Sequence, residues 1–272
     1  FIEAKQIEGC SARTLQYYQV TIEHLLKNID TVIRKITTDE IRTYLAEYQQ
    51  RNNCSKVTVD NVRRNISSFF SWLEEEDYIL KSPMKRIHKI KTKTVVKSVI
   101  TDEGIERLRD NCKEIRDLAI IDLLYSTGIR VGELVNLNVD DIDLEGRECI
   151  VYGKGDKERR VYFDAKAKVH LKKYIDHRKD NNSALFVTLD APHDRLKISG
   201  VEIRLRELGR RIDLERIHPH KFRRTMATRA IDKGMPIEQV QKILGHSQID
   251  TTMQYAMVNQ NNVKTSHQKF MS

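Results

Sequence analysis

The sequence predicts a mainly α-helical protein with one small β-hairpin, an α+β chain built in two parts. Three observations lead there. Apolar residues recur at three- and four-residue spacing over most of the chain, as expected of helices that bury one face. Strand-like alternation around a glycine-bearing turn occurs in one place, near residues 148–163. A stretch from Pro83 to Val99 separates two apolar blocks, and no acidic residue occurs in it between Asp77 and Asp102. The expected division is therefore a helical domain over 1–85, a basic linker over 86–99 and a second domain over 100–272.

The elements follow in order. Leu15, Tyr18, Ile22, Leu25 and Ile29 predict a helix from Ser11 to Ile29. Thr37-Thr38-Asp39-Glu40 reads as a capping box that opens a helix with Ile41, Tyr44, Leu45 and Tyr48 on one side. A longer helix from Ser55 to Glu75 is expected to bury Val62, Ile66, Phe69, Phe70 and Leu73. Ser82-Pro83 ends the helical pattern. In the second block Thr101 can cap a helix to about Asn111, and Ile115–Tyr125 is strongly apolar and runs to Gly128. Strands over Glu148–Gly153 and Arg159–Phe163 flank the turn. Helices follow at about 165–179, 198–211, 219–233 and 236–244, with Pro236 in the first turn of the last and Gly245 at its exit. A helix carrying Tyr255 comes next, with Ser247 or Asp250 as its cap.

Composition bounds the function. The chain has 272 residues, 39% apolar and 32% charged, with a net charge of +9. That size suits one large or two ordinary domains, and the charge suits a polyanionic partner. No run of about 18 apolar residues occurs, so no membrane span is expected. No signal-peptide pattern is legible, and the chain opens on Phe1 and not Met, which leaves room for a further N-terminal segment. Cys10, Cys54, Cys112 and Cys149 show no CxxC spacing and read as reduced, mostly buried thiols of a cytosolic protein, not a zinc site.

Several residues have the chemistry to hold or attack a phosphate. Arg130 follows a Thr-Gly turn where a helix opens, and its two N–H groups can fork onto one phosphate. Glu133, one turn on, can orient it. Lys154, between glycines at the hairpin tip, can protonate a leaving hydroxyl. His220 and Arg223 share a helix face near an N-terminus that favours anions. His246 follows a helix-ending glycine, and Tyr255 lies nine positions later. Taken singly, each has an ordinary structural reading: a salt bridge, a solvated turn lysine, a structural His–Arg pair, a satisfied turn histidine and a core tyrosine.

Together they do not read that way. The order Arg130, Lys154, His220-x-x-Arg223, His246, Tyr255 resembles the tyrosine recombinase, or phage integrase, family along the whole chain. The motifs are TGIRVGEL (127–134), GKGDKERRVYF (153–163), HPHKFRRT (218–225) and LGHSQIDTTMQYA (244–256). Xer-type recombinases and mobile-element integrases are the nearest in look. The resemblance implies a helical core-binding domain and a catalytic domain that clamp double-stranded DNA, and a site-specific recombinase working through a Holliday junction. It implies Tyr255 as the nucleophile that forms a 3′-phosphotyrosyl link. Arg130 and Arg223 are then phosphate clamps, Lys154 the general acid, His220 and His246 further pocket members, and Glu133 a support. Arg224 stands where many relatives have histidine.

Arg86, Lys89, Lys91, Lys93, Lys157, Arg159, Lys221 and Arg224 are the expected DNA contacts. No metal or other cofactor is implied. The implied state is a monomer when free and a homotetramer on two DNA sites, with the tail 256–272 docking between protomers. The implied compartment is the bacterial cytoplasm, with nucleoid association. The rival readings are a type IB topoisomerase-like relaxing enzyme and a non-catalytic sequence-specific DNA-binding protein.

Overall fold

A computed structural model describes residues 1–92, 98–153, 158–214 and 216–256. The chain divides into two compact units, Phe1–Val95 and Val96–Ser272.

The first unit is helical: α1 (Ile2–Ile7), α2 (Ala12–Asn28), α3 (Thr38–Arg51) and α4 (Lys56–Glu75). Its helix starts are set by side-chain caps. Ser11, Thr37 and Ser55 accept from the N–H groups of Thr14, Glu40 and Thr58, and Glu40 reaches back to complete the expected capping box. Helices α2 and α3 both pack on α4, and Leu25, Ile41, Ile66 and Phe70 are fully enclosed between them. The short α1 has no sequence period long enough to announce it.

Ser82 caps a 3-10 turn over Pro83–Arg86. Beyond it, Ile87 and Ile90 pack on this core, and the Ile90 N–H donates to Asp60 Oδ1 at 3.0 Å. The beginning of the expected linker thus lies on the first unit. Arg86, Lys89 and Lys91 are exposed there, whereas Lys93 and Lys97 fall outside the described residues.

The second unit begins with α5 (Asp102–Asp110), capped by Thr101, then α6 (Ile115–Thr127) and α7 (Val131–Asn136). Strands β1 (Ile142–Asp143), β2 (Glu148–Tyr152) and β3 (Glu158–Tyr162) form an antiparallel sheet in that order, with Cys149 opposite Val161 and Ile150 opposite Arg160. Helices α8 (Ala165–His177), α9 (Ile198–Arg211), α10 (Pro219–Asp232), α11 (Ile237–Leu244) and α12 (Ile249–Ala256) complete it. The two-residue β1 goes beyond the expected hairpin, being too short to show alternation.

Helix α6 is the central rod of this unit, in contact with α5, α8 and α10. Its two buried aspartates are tied outward. Arg109 Nε donates to Asp122 Oδ1 at 2.7 Å and Arg204 Nε to Asp117 Oδ2 at 2.8 Å, which pins α5 and α9 to the rod. A buried charge is tolerable only when paired in this way. The N-terminal end of the unit is held by Thr225 on α10, whose hydroxyl accepts from the Ile100 N–H at 2.9 Å.

Three local expectations change. Pro236 sits at the N-cap of α11, one position before the first turn, and Asp250 lies inside the first turn of α12. Of the four thiols, Cys149 alone is buried, and the other three are half-buried. Among the described residues no helix is long and apolar enough to cross a membrane.

The chain's single tryptophan, Trp72, lies in the first unit, so its fluorescence reports that unit. Phe70→Ala empties the centre of the α4 seam and is expected to cost about 3–5 kcal/mol. A denaturant titration followed at Trp72 should move to markedly lower midpoint, and an unchanged midpoint would contradict this packing.

Candidate active site

The site grows from two helix ends. Helix α6 closes on Gly128 in the left-handed region (φ 62°), where an added Cβ would lie 2.4 Å from Met226 Cε. That turn directs Arg130 to the N-cap of α7. The Arg130 backbone N–H donates to Glu133 Oε2 at 2.7 Å and its Nη1 to Glu133 Oε1 at 2.8 Å. Arg159, on β3, forks onto the same carboxylate, with Nη1 and Nη2 each at 2.7 Å. The Glu133 side chain is 4% exposed. Burial pushes its carboxyl up, but the hydrogen bonds from Arg159 and the Arg130 backbone outweigh that and hold it below the usual range. Glu133 therefore stays ionised.

The second end is that of α11, which closes on Gly245 (φ 64°). Its last carbonyls lack helical partners and carry the negative end of the helix dipole. Three arginines occupy three successive ones. Arg159 Nε donates to Ile243 O at 3.0 Å, Arg223 Nη2 to Leu244 O at 2.5 Å and Arg130 Nη2 to Gly245 O at 3.2 Å. A Cβ at position 245 would lie 3.0 Å from Arg159 Cδ, so glycine is required there for both backbone and space. Arg223 also donates from Nη1 to Gly128 O at 2.7 Å, which joins the two helix ends. Arg223 is buried. Burial first, then the charge of Arg130, bring its pKa down to about 10, and it remains a cation at neutral pH.

His246 follows directly. Its Nε2 lies 3.0 Å from Arg223 Nη2 and its Nδ1 2.9 Å from Thr252 Oγ1. The ring stacks on Tyr255 with centroids 6.1 Å apart and planes 27° from parallel. Tyr255 is 8% exposed and packs with Met226, Ala227, Val240 and Leu244, an apolar cluster formed by α10, α11 and α12. The loop before α12 is braced by Gln241 Nε2, which donates to His246 O at 3.0 Å.

The structure thus brings Arg130, Glu133, Arg223, His246 and Tyr255 together from four separate segments. His220 is exposed in the first turn of α10 behind Pro219. Lys154 and Lys157 lie outside the described residues.

Three of the expected DNA contacts are side chains with little exposure in this structure. Arg159 is engaged with Glu133 and Ile243 O, its side chain only 13% exposed, so it is an internal tie and not a surface cation. Lys221 and Arg224 are buried on α10, which turns its charged residues inward here. Sequence reasoning also missed Thr252, fully buried against His246. The signal for Arg159 was available: alternation in β3 puts it on the same side as the buried Val161.

The electrostatics make a pH prediction. Burial, then the charges of Arg223, Arg130 and Arg159, lower the His246 pKa from 6.5 to about 4. The folded value lies below the unfolded one, so the unfolded chain binds more protons between them. Stability from this site is then full above pH 6.5 and declines as pH falls toward 4. An NMR titration should find His246 neutral at pH 6, and a midpoint near 6.5 would contradict the cluster.

Comparison with known proteins identifies the family. Residues 98–262 match the phage integrase family, and residues 1–80 match the phage integrase N-terminal SAM-like domain. The chain is 30% identical to tyrosine recombinase XerC of Oceanobacillus iheyensis, across 99% of this chain and 93% of the relative. It is 32% identical to tyrosine recombinase XerC of Thermodesulfovibrio yellowstonii, across 92% and 87%. The crystal structure of XerA recombinase aligns with a TM-score of 0.59 at 26% identity, covering 98% of this chain and 95% of that one. The Tn1549 transposon integrase in complex with a circular intermediate DNA shares the fold, with a TM-score of 0.82 at 18% identity over 99% and 98%. The chain belongs to the phage integrase family and is a tyrosine site-specific recombinase.

Proposed function

We propose that this chain cuts and rejoins double-stranded DNA at specific sites, with Tyr255 as the nucleophile. The observation that carries this reading is the placement of Tyr255 against His246 beside the Arg130 and Arg223 guanidiniums. Three guanidiniums share the pocket with one carboxylate, which pairs with Arg130 and Arg159, so the pocket keeps an excess of positive charge for a phosphodiester.

The chemistry follows from those groups. Tyr255 Oη attacks the scissile phosphorus and the 5′-oxygen leaves, giving a 3′-phosphotyrosyl ester and a free 5′-hydroxyl. Arg130 and Arg223 hold the non-bridging oxygens where charge develops, and His246 donates to one of them from the Tyr255 side. His220 takes the tyrosine proton. Lys154 protonates the leaving oxygen, an assignment that rests on its place in the motif. The ester keeps the energy of the broken bond, so the hydroxyl of a second strand reverses the reaction, and two rounds of exchange pass through a Holliday junction. Arg86, Lys89 and Lys91, exposed on the first unit, suit phosphate contacts along the duplex. The assembly that accomplishes exchange is a homotetramer on two DNA sites in the bacterial cytoplasm, at the nucleoid.

The test selects the target sequence and reads the nucleophile together. A pool of nicked suicide duplexes with a randomised central segment is incubated with the chain, and covalent adducts are recovered and sequenced. Wild type should enrich one sequence family. Tyr255→Phe should bind the enriched duplex normally and form no adduct; a persistent adduct would remove Tyr255 from its role.

The leaving-group assignment has its own check. Lys154→Ala should be slow on normal DNA and largely restored on a 5′-bridging phosphorothiolate, whose sulfur leaves without protonation. Equal defects on both substrates would place the acid elsewhere.

A further inference from the structure

His246 stands between two partners with different abilities. A guanidinium has only donors, so Arg223 Nη2, 3.0 Å away, must donate to an unprotonated Nε2. The ring proton is then on Nδ1, and it donates to Thr252 Oγ1 at 2.9 Å. This is the wrong arrangement for the role proposed above, because donation to a phosphate oxygen needs the proton on Nε2. Reversing it beside an acceptor-only partner such as a carbonyl would leave Nδ1 a buried acceptor with no donor, which is costly.

A hydroxyl removes that obstacle, since it accepts in one state and donates in the other. Thr252 is fully buried and lies three positions before Tyr255 on α12, so the two side chains sit on neighbouring parts of one helix face. The same hydrogen bond therefore also fixes the rotation of the helix that carries the tyrosine.

We propose that Thr252 is a positioning residue whose hydroxyl reverses from acceptor to donor when a phosphodiester enters, allowing the His246 proton to move from Nδ1 to Nε2 while the Tyr255 helix stays docked. Arg223 turns to the phosphate and vacates Nε2. The ring gains a proton at Nε2 from solvent and returns the one on Nδ1 to solvent through its half-exposed edge, so its charge is the same before and after. The Thr252 hydroxyl then donates to Nδ1. The proposal rests on the reading of His246 as a phosphate donor.

Imidazole nitrogen chemical shifts distinguish the three protonation states of the ring. In the free full chain the Nδ1–H form is expected. In the complex of Tyr255→Phe with the enriched duplex the Nε2–H form is expected. An Nε2–H ring in the free chain, an unchanged Nδ1–H ring in the complex, or an imidazolium there would each overturn the proposal. Cleavage supplies the second arm. Thr252→Ser keeps the hydroxyl and should cleave within about twofold of wild type, whereas the near-isosteric Thr252→Val should be slower by roughly tenfold, the scale of one lost buried hydrogen bond. Thr252→Val should add nothing further in a His246→Ala background. Additive effects would place Thr252 outside the relay. A His246→Ala variant that cleaves normally would instead remove the phosphate-donor reading, while the nitrogen shifts of the free chain would still report the Thr252 hydrogen bond.

Discussion

The arrangement of this site depends on one buried carboxylate. Glu133 accepts from the Arg130 backbone, from the Arg130 side chain and twice from Arg159, and it is ionised because these donors overcome its burial. Without it, Arg130 and Arg159 would be like charges facing each other at close range. Removing one member of such a buried group is expected to cost about 3–5 kcal/mol, since it leaves uncompensated charge. Glu133 also holds the N-terminus of α7 against strand β3, so the same carboxylate fixes both an arginine and the turn end of the hairpin strand.

The carbonyls at the end of α11 do the complementary work. They give Arg130, Arg159 and Arg223 neutral acceptors at a helix terminus of negative polarity, so Arg223, which makes no ion pair among the described residues, is held without being neutralised. A guanidinium held in this way is preorganised for an anion and needs little rearrangement to receive one. The Leu244 and Gly245 carbonyls directly precede His246 on a loop nine residues from Tyr255, so the arginines and the tyrosine share one frame. Catalytic geometry and local stability are here one network.

Much of this was legible in the residues. Glycines 128 and 245 marked helix ends because few other residues enter the left-handed region cheaply, and both ends now prove to aim Arg130 and His246. The capping box at Thr37 and the apolar stripe from Val62 to Leu73 were readable for the same local reason. What stayed hidden was tertiary. Nothing near Arg159 in sequence says that its partner is Glu133, 26 positions earlier, and charge alone suggested a DNA contact. The burial of Lys221 and Arg224 was hidden in the same way, since a basic run on a helix reads as a solvated face unless the packing around it is known. Thr252 carried no signal beyond its neighbourhood to Tyr255.

The central claim is that this pocket is shaped to hold one phosphodiester between the arginines, His246 and Tyr255. A crystal structure of the chain with the enriched duplex, interrupted at the scissile position and bridged by orthovanadate, tests it most directly. The account predicts vanadium bonded to Tyr255 Oη, with the Arg130 and Arg223 guanidiniums and His246 Nε2 on its non-bridging oxygens. Vanadate bound away from Tyr255, or bound there with neither Arg130 nor Arg223 on its non-bridging oxygens, would contradict it.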